Sequence, residues 1–355
     1  RGSHEEIDVF PGFPLENKMS GNVVDLCPVG ALGDKDFLYQ QRVWFMKSHP
    51  HVCDGCSTGC SIFVDENQDR VYRLKPRENP HINSWWMCDE GRYGWKHVHN
   101  TGRMVNPTWR KGEQLVAVTW PEAIAEIDKQ LRDAERPAYV LSPHLTVEEA
   151  YLLASYGREL NAEATLVLGH VPQVGEDEKV AGGFTIRREK CPNRRGVEQL
   201  SAAMVGEVIT WEHFIGQRLE DQSYDAIWVT GGYKSSWNDE ATAKRLADVK
   251  TLIVQDLFPS PVWQAAQWQL PATAFAERAG CFVTFGDRLQ TFTWAIRPPQ
   301  GLMTEAQLFW RLLEKPGLYK PEQVREEVAR RFVYFSAAAK PPPEMGVDLK
   351  VNQLA

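Results

Sequence analysis

The most informative part of the sequence is Cys53-Asp54-Gly55-Cys56-Ser57-Thr58-Gly59-Cys60, together with Cys88 in Trp85-Trp86-Met87-Cys88. Three thiols share one tight loop, and a fourth comes from a distant segment. This spacing is typical of a cubane iron–sulfur cluster, which needs four sulfur ligands around a core wider than a single metal ion. The small residues between the cysteines let the loop turn sharply and bring backbone N–H groups toward the cluster sulfurs. The sequence therefore predicts a [4Fe–4S] cluster on Cys53, Cys56, Cys60 and Cys88.

Two other interpretations of these cysteines remain open: a structural zinc site and unrelated buried thiols. Zinc sites more often contain two separated Cys-x2-Cys pairs, and a third cysteine so soon after the second is unusual for them. With four thiols available, we expect none of the nearby histidines His51, His97 and His99 to be a ligand. Seven cysteines, five of them in cluster-like contexts, favour a reducing compartment over a disulfide framework.

The composition is that of an ordinary globular protein. The chain has 355 residues, of which 43% are hydrophobic and 25% charged, and this length allows about two or three domains. The net charge of -7 argues against a nucleic-acid partner. No apolar run is long enough to span a bilayer, so we expect any membrane association to occur only through other proteins. The chain begins at Arg1, and we expect these first residues to be native sequence rather than the remainder of an expression tag.

A fifth cysteine, Cys27, lies in the run Asp25-Leu26-Cys27-Pro28-Val29-Gly30-Ala31-Leu32. A cysteine followed by proline is typical of the last ligand of a ferredoxin-type set, whose other three ligands come from an earlier group. No second cysteine lies upstream in this chain. Cys27 is therefore either a ligand whose three partners are absent from this sequence or an ordinary buried thiol.

From Arg1 to Trp95 the chain resembles the large iron–sulfur subunit of bacterial NADH–quinone oxidoreductase (respiratory complex I), and the resemblance continues at lower specificity to about Gly301. Besides the two cysteine motifs, it is carried by Phe13-Pro14-Leu15-Glu16-Asn17, Ser20-Gly21-Asn22-Val23-Val24-Asp25, Lys75-Pro76-Arg77-Glu78-Asn79 and Asn193-Arg194-Arg195-Gly196. The resemblance implies that Cys27 is the fourth ligand of a [4Fe–4S] cluster on the main electron path. It also implies that the other three ligands and the upstream cluster domains are missing here, so that one cluster is complete and one is partial.

The four-cysteine set also resembles the N-terminal cluster domain of the molybdopterin oxidoreductases, but several features favour a scaffold without the pterin. Where those enzymes carry a lysine between cluster and pterin, this chain has Glu90, which would repel an anionic pterin or is simply a solvated surface residue. Where those enzymes are expected to have the motif Asn-x-Glu-Gly-Arg, this chain has Thr284-Phe285-Gly286-Asp287-Arg288. Cys191 and Cys281 are isolated and are expected to be structural thiols. After Lys340-Pro341-Pro342-Pro343 we expect only a linker-like tail. We therefore expect no molybdopterin and no independent catalytic site.

Strand and helix signals alternate from Thr119 onward, which predicts parallel sheets with crossover helices. Thr119, Thr146 and Thr304 are expected to cap helices. Predicted strands are 138–141, 164–168, 226–230 and 251–254, with a helix around 240–246. Gly231-Gly232 is more readily explained as a structural turn than as a phosphate cradle. The predicted fold is α/β, with a small iron–sulfur domain followed by parallel-sheet domains like those of molybdopterin oxidoreductases. The expected domains are a ferredoxin-like remnant (1–49), a [4Fe–4S] domain (50–106), cofactor-free α/β domains (107–340) and a Pro-rich tail (341–355).

The resemblance implies an electron-transfer and scaffold subunit in the peripheral arm of a respiratory-chain NADH:quinone oxidoreductase, an EC 7.1.1-type translocase. Its implied partners are other peripheral-arm subunits, including the flavin- and NADH-binding one, at the cytoplasmic face of the inner membrane. The complete cluster corresponds to one off the main electron path, so its expected role is structural. The alternatives are an electron-transfer subunit of an NAD-linked hydrogenase or formate dehydrogenase, a molybdopterin-dependent catalytic subunit, and a zinc-containing scaffold.

Overall fold

An α/β architecture is present in the computed structural model, which describes residues 10–13, 15–180 and 183–350. The expectation that the first residues are native sequence concerns residues 1–9, which lie outside the described ranges. The strands are β1 (Lys47–Val52), β2 (Ser61–Asn67), β3 (Arg70–Pro76), β4 (Thr108–Lys111), β5 (Gln114–Ala117), β6 (Pro137–Leu141), β7 (Thr165–Leu168), β8 (Glu178–Lys179), β9 (Thr185–Ile186), β10 (Ile209–Thr210), β11 (Ala226–Thr230), β12 (Thr251–Asp256), β13 (Trp268–Pro271), β14 (Gly280–Val283), β15 (Arg288–Phe292) and β16 (Val347–Asp348).

Helices cover the central sheet and connect its strands. The α-helices are α1 (Asn22–Leu26), α2 (Asp89–Tyr93), α3 (Trp120–Arg132), α4 (Val147–Leu160), α5 (Arg194–Val205), α6 (Trp211–His213), α7 (Leu219–Asp221), α8 (Glu240–Leu246), α9 (Pro261–Ala265), α10 (Glu305–Leu312) and α11 (Pro321–Arg331). Short 3₁₀ helices span Val43–Phe45, Lys96–His99, Phe275–Glu277 and Val333–Ala339, and one π-helical turn spans Phe214–Arg218. Within the described ranges, none of the helices combines the length and apolarity needed to cross a lipid bilayer.

The main sheet is mostly parallel, as predicted. Among the described residues its strand order is β10-β7-β6-β11-β12-β13-β4-β5, with every pair from β10 to β13 parallel and the β4–β5 hairpin joined antiparallel at one edge. Strand β11 is buried along its whole length, as expected for a parallel strand covered on both faces. The alternating signals identified β6, β7, β11 and β12 because such strands are continuous apolar runs.

The predicted helix starts are confirmed at their capping residues. At the start of α4, the Thr146 hydroxyl accepts a hydrogen bond from the Glu149 N–H at 3.1 Å, and the Glu149 carboxylate accepts one from the Thr146 N–H at 2.9 Å. Thr119 caps α3 by the same reciprocal pair of bonds, made with Glu122. Thr304 caps α10 by a single bond, in which its side chain accepts from the Gln307 N–H. These bonds satisfy N–H groups that the first helical turn leaves unpaired.

A small antiparallel sheet of β1, β2 and β3 carries the cysteine loop. Cys53 directly follows β1 and Cys60 directly precedes β2, so the loop is the connection of a β-hairpin. Strand β1 already begins at Lys47, which places residues 47–49 in the same sheet as this loop.

The C-terminal segment differs from the linker-like tail that was expected. Val347–Asp348 pairs antiparallel with β15, and Leu349 is fully buried. Gly346 makes the turn before β16 at a φ of 77°, where a Cβ atom would lie 2.4 Å from the Leu289 carbonyl oxygen. The prolines therefore precede a strand that completes a three-stranded sheet, and residues 351–355 lie outside the described part.

Candidate metal centre

The four predicted ligand cysteines are all buried in one place. Cys53, Cys56, Cys60 and Cys88 are 5%, 7%, 4% and 6% exposed. The Cys53 N–H donates to the Cys60 carbonyl at 2.9 Å and the Gly59 N–H to the Cys56 carbonyl at 3.2 Å. Gly59 has a φ of 64°, a conformation that glycine adopts without strain. Backbone hydrogen bonds thus fold the eight-residue loop so that its three thiols are held together.

Helix α2 brings the fourth thiol to this loop. Cys88 caps the helix, and its Sγ atom accepts a hydrogen bond from the Gly91 N–H at 3.4 Å. A Cβ atom on Gly91 would lie 3.1 Å from Cys53 Sγ and 3.6 Å from Cys88 Sγ, so this glycine sits between the two sulfurs. The Gly55 N–H donates to Cys53 Sγ at 3.4 Å. The small residues thus turn N–H groups toward the sulfurs, as the sequence predicted.

The electrostatics of this site favour occupation by a positively charged group. Burial, followed by the neighbouring charges, raises the pKa of Cys53 and Cys60 well above the ordinary value, and burial raises the pKa of Cys88 to about 11. Without a cation, four buried thiolates would repel one another, so metal binding is what stabilises their ionised form. In the part of the chain that the structure describes, no three His, Cys, Asp or Glu side chains converge on the position of one metal ion. A cubane does not require such convergence, because each of its four irons takes one thiolate.

The three nearby histidines have other contacts. His51 Nδ1 lies 3.0 Å from the Val52 carbonyl, His97 Nδ1 lies 2.9 Å from the Gly94 carbonyl, and His99 Nε2 accepts a hydrogen bond from the Val71 N–H at 2.9 Å. Burial lowers the pKa of His51 and His97 to about 4. Both rings are therefore neutral near pH 7 and are held by the protein backbone.

Trp85 and Trp86, the two residues before Met87, have different environments. Trp85 is 63% exposed, so its ring does not cover the site. Trp86 is partly buried against the cluster-side core, and Met87 is almost completely buried there. Met87 belongs to the same buried cluster as Cys53, Cys60 and Cys88.

Cys27 lies outside this centre, directly after α1. Its side chain is only half-buried, unlike an ordinary core thiol. Backbone N–H groups, with that of Leu32 contributing most, hold the pKa of Cys27 below its ordinary value. A loop that stabilises a partly exposed thiolate in this way is a suitable setting for a metal ligand.

The segment that carries Cys27 is tied to the Cys88 loop by the buried side chain of Asn22. Its Nδ2 atom donates to the Met87 carbonyl at 2.8 Å, and its Oδ1 atom accepts from the Met87 N–H at 3.1 Å. Gly21 N–H and Asp89 form a second link of 2.8 Å, and Arg92 and Asp25 form an ion pair of 2.6 Å. The Asn22 side chain thus bonds both the N–H and the carbonyl of Met87, as the backbone of a neighbouring β-strand would.

Asn22→Ala is expected to loosen this docked segment, because the substitution leaves two buried backbone groups of Met87 unpaired at a cost of about 1–3 kcal/mol. Amide hydrogen exchange in residues 15–32 should become faster by on the order of tenfold. Asn17→Ala is the control, since Asn17 makes only an exposed local contact with the Met19 N–H. Equal exchange in the two variants would show that Asn22 does not hold the segment.

Lysines from distant parts of the sequence also reach the cysteine loops. Lys190 Nζ lies 2.6 Å from Glu90 Oε2, and Glu90 is 56% exposed. Glu90 is thus a paired surface residue, as one of the two sequence interpretations proposed. Lys234 Nζ lies 2.9 Å from Asp54 Oδ1. Sequence reasoning missed both lysines because no local spacing connects them with the cysteines.

The crevice where ligands bind in many open α/β sheets is filled by the chain itself. Strands β6 and β11 are neighbours in the sheet, and the chain continues from β6 to β7 on one side and from β11 to β12 on the other. The carboxyl ends of β6 and β11 therefore border this crevice. The buried rings of His144 and Tyr233 meet there with their centroids 4.9 Å apart. The Asp256 carboxylate accepts hydrogen bonds from the N–H groups of Gly232 and Leu257 at 2.8 and 2.7 Å. The Gly231-Gly232 turn therefore binds a carboxylate of its own chain, which supports the structural interpretation of this pair.

Asp287, in the segment that departs from the molybdopterin pattern, is also held internally. Its carboxylate accepts hydrogen bonds of 2.6 Å from Arg195 Nε and from the Tyr334 hydroxyl, and it pairs with Lys350 Nζ at 3.0 Å. These contacts connect α5, the 333–339 turn and the C-terminal strand region. The segment serves to hold the chain together.

Comparisons with known proteins locate similarity mainly in the cysteine-containing regions. The family described as the ferredoxin-like domain of NADH-quinone oxidoreductase subunit 3 matches residues 1–33, and the molybdopterin oxidoreductase Fe4S4 domain matches residues 46–100. The G subunit of NADH-quinone oxidoreductase from Escherichia coli (strain K12) is 30% identical over 256 residues, which are 70% of this chain and 26% of that protein. The corresponding G subunit from Streptomyces coelicolor is 34% identical over 161 residues, or 44% of this chain and 19% of that protein.

Two further similarities have shorter or weaker support. Subunit 3 of the same oxidoreductase from Thermus thermophilus is 35% identical over 162 residues, which are 45% of this chain and 20% of that protein. A solved structure of acetylene hydratase from Pelobacter acetylenicus aligns with 75% of this chain and 69% of that chain, at 9% identity and a TM-score of 0.45. The chain spans between about a fifth and a quarter of the length of the curated relatives named here.

Proposed function

This chain is a homologue of the large iron–sulfur subunit of NADH-quinone oxidoreductase, and on that premise we propose that it is an iron–sulfur electron-transfer and scaffold part of a complex-I-type NADH:quinone oxidoreductase. The observation that carries the proposal is that four buried cysteines lie near one another inside the segment that matches an Fe4S4 domain. The whole complex would catalyse the EC 7.1.1-type reaction, and no catalytic residue is assigned to this chain.

The proposed ligands of the complete [4Fe–4S] cluster are Cys53, Cys56, Cys60 and Cys88. When bound, the cluster supplies reversible one-electron transfer. The chain orients the thiolates through the β1–β2 loop and the first turn of α2, and the N–H groups of Gly55 and Gly91 donate to sulfur atoms. The cysteine loop is also bonded to the part of the chain that contains the main sheet, which we call the α/β body. For example, the Ser57 N–H donates to the Glu189 carbonyl at 2.9 Å. The proposed role of this cluster is therefore mainly structural.

Cys27 is proposed as the fourth ligand of a second [4Fe–4S] cluster, whose other three ligands come from a segment outside this chain. Apolar residues next to Cys27 in sequence are exposed, including Leu26 and Val29, which are 66% and 81% exposed. Such a group of exposed apolar residues indicates a contact surface. The surface supports docking of the remaining ferredoxin-like part against the Cys27 loop.

We also propose that the chain binds no molybdopterin. The supporting observations are the crevice filled by His144 and Tyr233 and the internal partners of Asp256 and Asp287. The proposed partners are other subunits of the peripheral arm, including the flavin- and NADH-binding subunit, with no nucleic acid. The proposed location is the cytoplasmic face of the inner membrane, where the chain would contact the membrane only through those subunits.

Metal analysis of the anaerobically purified chain tests the cluster directly. We expect about four irons per chain, no stoichiometric zinc or molybdenum, and a low-temperature EPR signal after reduction, as a cubane cluster requires. One zinc without iron would overturn the cluster assignment. Molybdenum at about one per chain would overturn the proposal that no pterin binds.

A further inference from the structure

An ion pair links the cysteine loop to the α/β body beside the proposed cluster. Asp54 directly follows the ligand Cys53 and is buried. Lys234, in the loop after β11, places its Nζ atom 2.9 Å from Asp54 Oδ1, and its side chain is 30% exposed. The same ammonium lies 3.8 Å from the position of a Cβ atom on Gly94, directly after α2. The Lys234 ammonium therefore lies between the Cys53 loop and the end of α2.

Lys234 and Asp54 form a direct ion pair, with Nζ 2.9 Å from Oδ1, and each favours the charged form of the other. His97 Nε2 lies 3.7 Å from Asp54 Oδ2. His97 is neutral near pH 7, because burial lowers its pKa to about 4.

A second ion pair lies near the cluster, between Lys190 and Glu90. Its lysine is 15% exposed and its carboxylate 56% exposed, whereas Lys234 is 30% exposed and Asp54 9% exposed. Solvent and salt screen exposed charges much more than buried ones. Asp54, which directly follows Cys53, is thus less screened than Glu90, and Lys234 is the cation paired with it.

We propose that Lys234 raises the reduction potential of the cluster through its positive charge, and that Asp54 opposes it. The proposal rests on the cluster assignment above and deepens it. Reduction adds one electron to the cluster, so a nearby cation stabilises the reduced form and a nearby anion destabilises it. Lys234 acts here as a positioning residue through its field, without binding iron. Because it belongs to the α/β body, the potential depends on how that body is seated against the cysteine loop.

An EPR-monitored redox titration of the anaerobic iron-loaded chain, with dithionite as reductant, tests this proposal. At the wild-type midpoint, Lys234→Gln is expected to lower the ratio of reduced to oxidised cluster by on the order of tenfold, which corresponds to a shift of about 59 mV for a one-electron couple. Lys234→Arg should keep the wild-type potential. Lys250→Gln is the matched control, because it removes the same charge from an exposed residue. Lys250 precedes the first residue of β12, whereas Lys234 follows the last residue of the parallel strand β11, so the two lysines lie at opposite ends of these strands.

Asp54→Asn provides a test of opposite sign. Removing the carboxylate leaves the Lys234 ammonium unopposed, so the reduction potential should rise. In the double variant with Lys234→Gln and Asp54→Asn, the potential should return toward the wild-type value. A purely structural disturbance would not produce opposite shifts that cancel. Unchanged potentials in Lys234→Gln and Asp54→Asn, or shifts of the same sign, would overturn the proposal. If Lys234→Gln loses its iron, the sign of the shift in Asp54→Asn decides. A wild-type chain without iron would instead refute the cluster assignment.

Discussion

Cys56→Ala is expected to abolish the stable [4Fe–4S] cluster, leaving well below the four irons per chain that a cubane contains. Cys56 lies midway in the β1–β2 loop and would supply one of the four proposed thiolates. Cys191, another buried cysteine near it, lies on a separate segment outside that loop. Metal binding contributes directly to folding free energy, and the loop should therefore lose protection together with the iron. Iron analysis and low-temperature EPR measure the first effect, and hydrogen exchange in residues 50–60 measures the second.

Cys281→Ala is the matched control for this substitution. Cys281 lies in β14 and is completely buried, but it belongs to the core of the α/β body. Its replacement should leave the iron content and the EPR signal intact. In an assembled complex, we expect Cys56→Ala to reduce the amount of complex formed more than the turnover of the complex that does form. Full iron content in Cys56→Ala would remove Cys56 from the ligand set, and normal assembly with slow internal electron transfer would contradict the mainly structural role.

The features that the sequence predicted depend on short stretches of chain. Spacing within the Cys53–Cys60 loop is enough to indicate a cubane, because the loop itself determines where its three thiols lie. Strand β11 was recognisable because a strand buried on both faces is apolar throughout. Helix α4 was recognisable because the Thr146 hydroxyl and the Glu149 side chain form a cap within one turn. In each case the physical cause acts between residues close in sequence.

The features that the sequence did not predict depend on contacts between distant residues. Lys234 approaches Asp54 only because β11 ends beside the cysteine loop, 180 positions away in the sequence. Strand β16 forms because β15 offers an open edge, although the prolines before it suggested a linker. The filling of the crevice by His144 and Tyr233 likewise follows from strand order. Such contacts are fixed by topology, which local patterns do not specify.

Arg278→Met is expected to destabilise the folded chain by about 3–5 kcal/mol, because it leaves buried carboxylates without their cation. The buried Arg278 guanidinium donates to Glu149 Oε2 at 3.1 Å, to Glu305 Oε1 at 3.0 Å and to the His144 carbonyl at 2.9 Å. It also donates to the Thr273 carbonyl. Both carboxylates are almost completely buried. Without Arg278 they repel each other in a poorly solvated site, so denaturant unfolding should show a much lower free energy of unfolding than in the wild-type chain.

The pH dependence of this loss distinguishes missing charge compensation from poor packing. Burial raises the pKa of Glu149 above its ordinary value while Arg278 lowers it, so removal of Arg278 raises the pKa in the folded chain further. A carboxyl whose pKa is higher in the folded than in the unfolded chain favours folding most below its unfolded pKa, and that contribution is lost as pH rises through the folded pKa. The deficit of Arg278→Met should therefore be largest near pH 8 and shrink toward about pH 5. Arg297→Met, which removes an ion pair with Asp69 from a side chain that is 76% exposed, should cost at most about 1 kcal/mol. An equally small deficit for Arg278→Met would show that this buried network contributes little to stability. A large deficit that does not change with pH would show that it contributes through packing and not through charge.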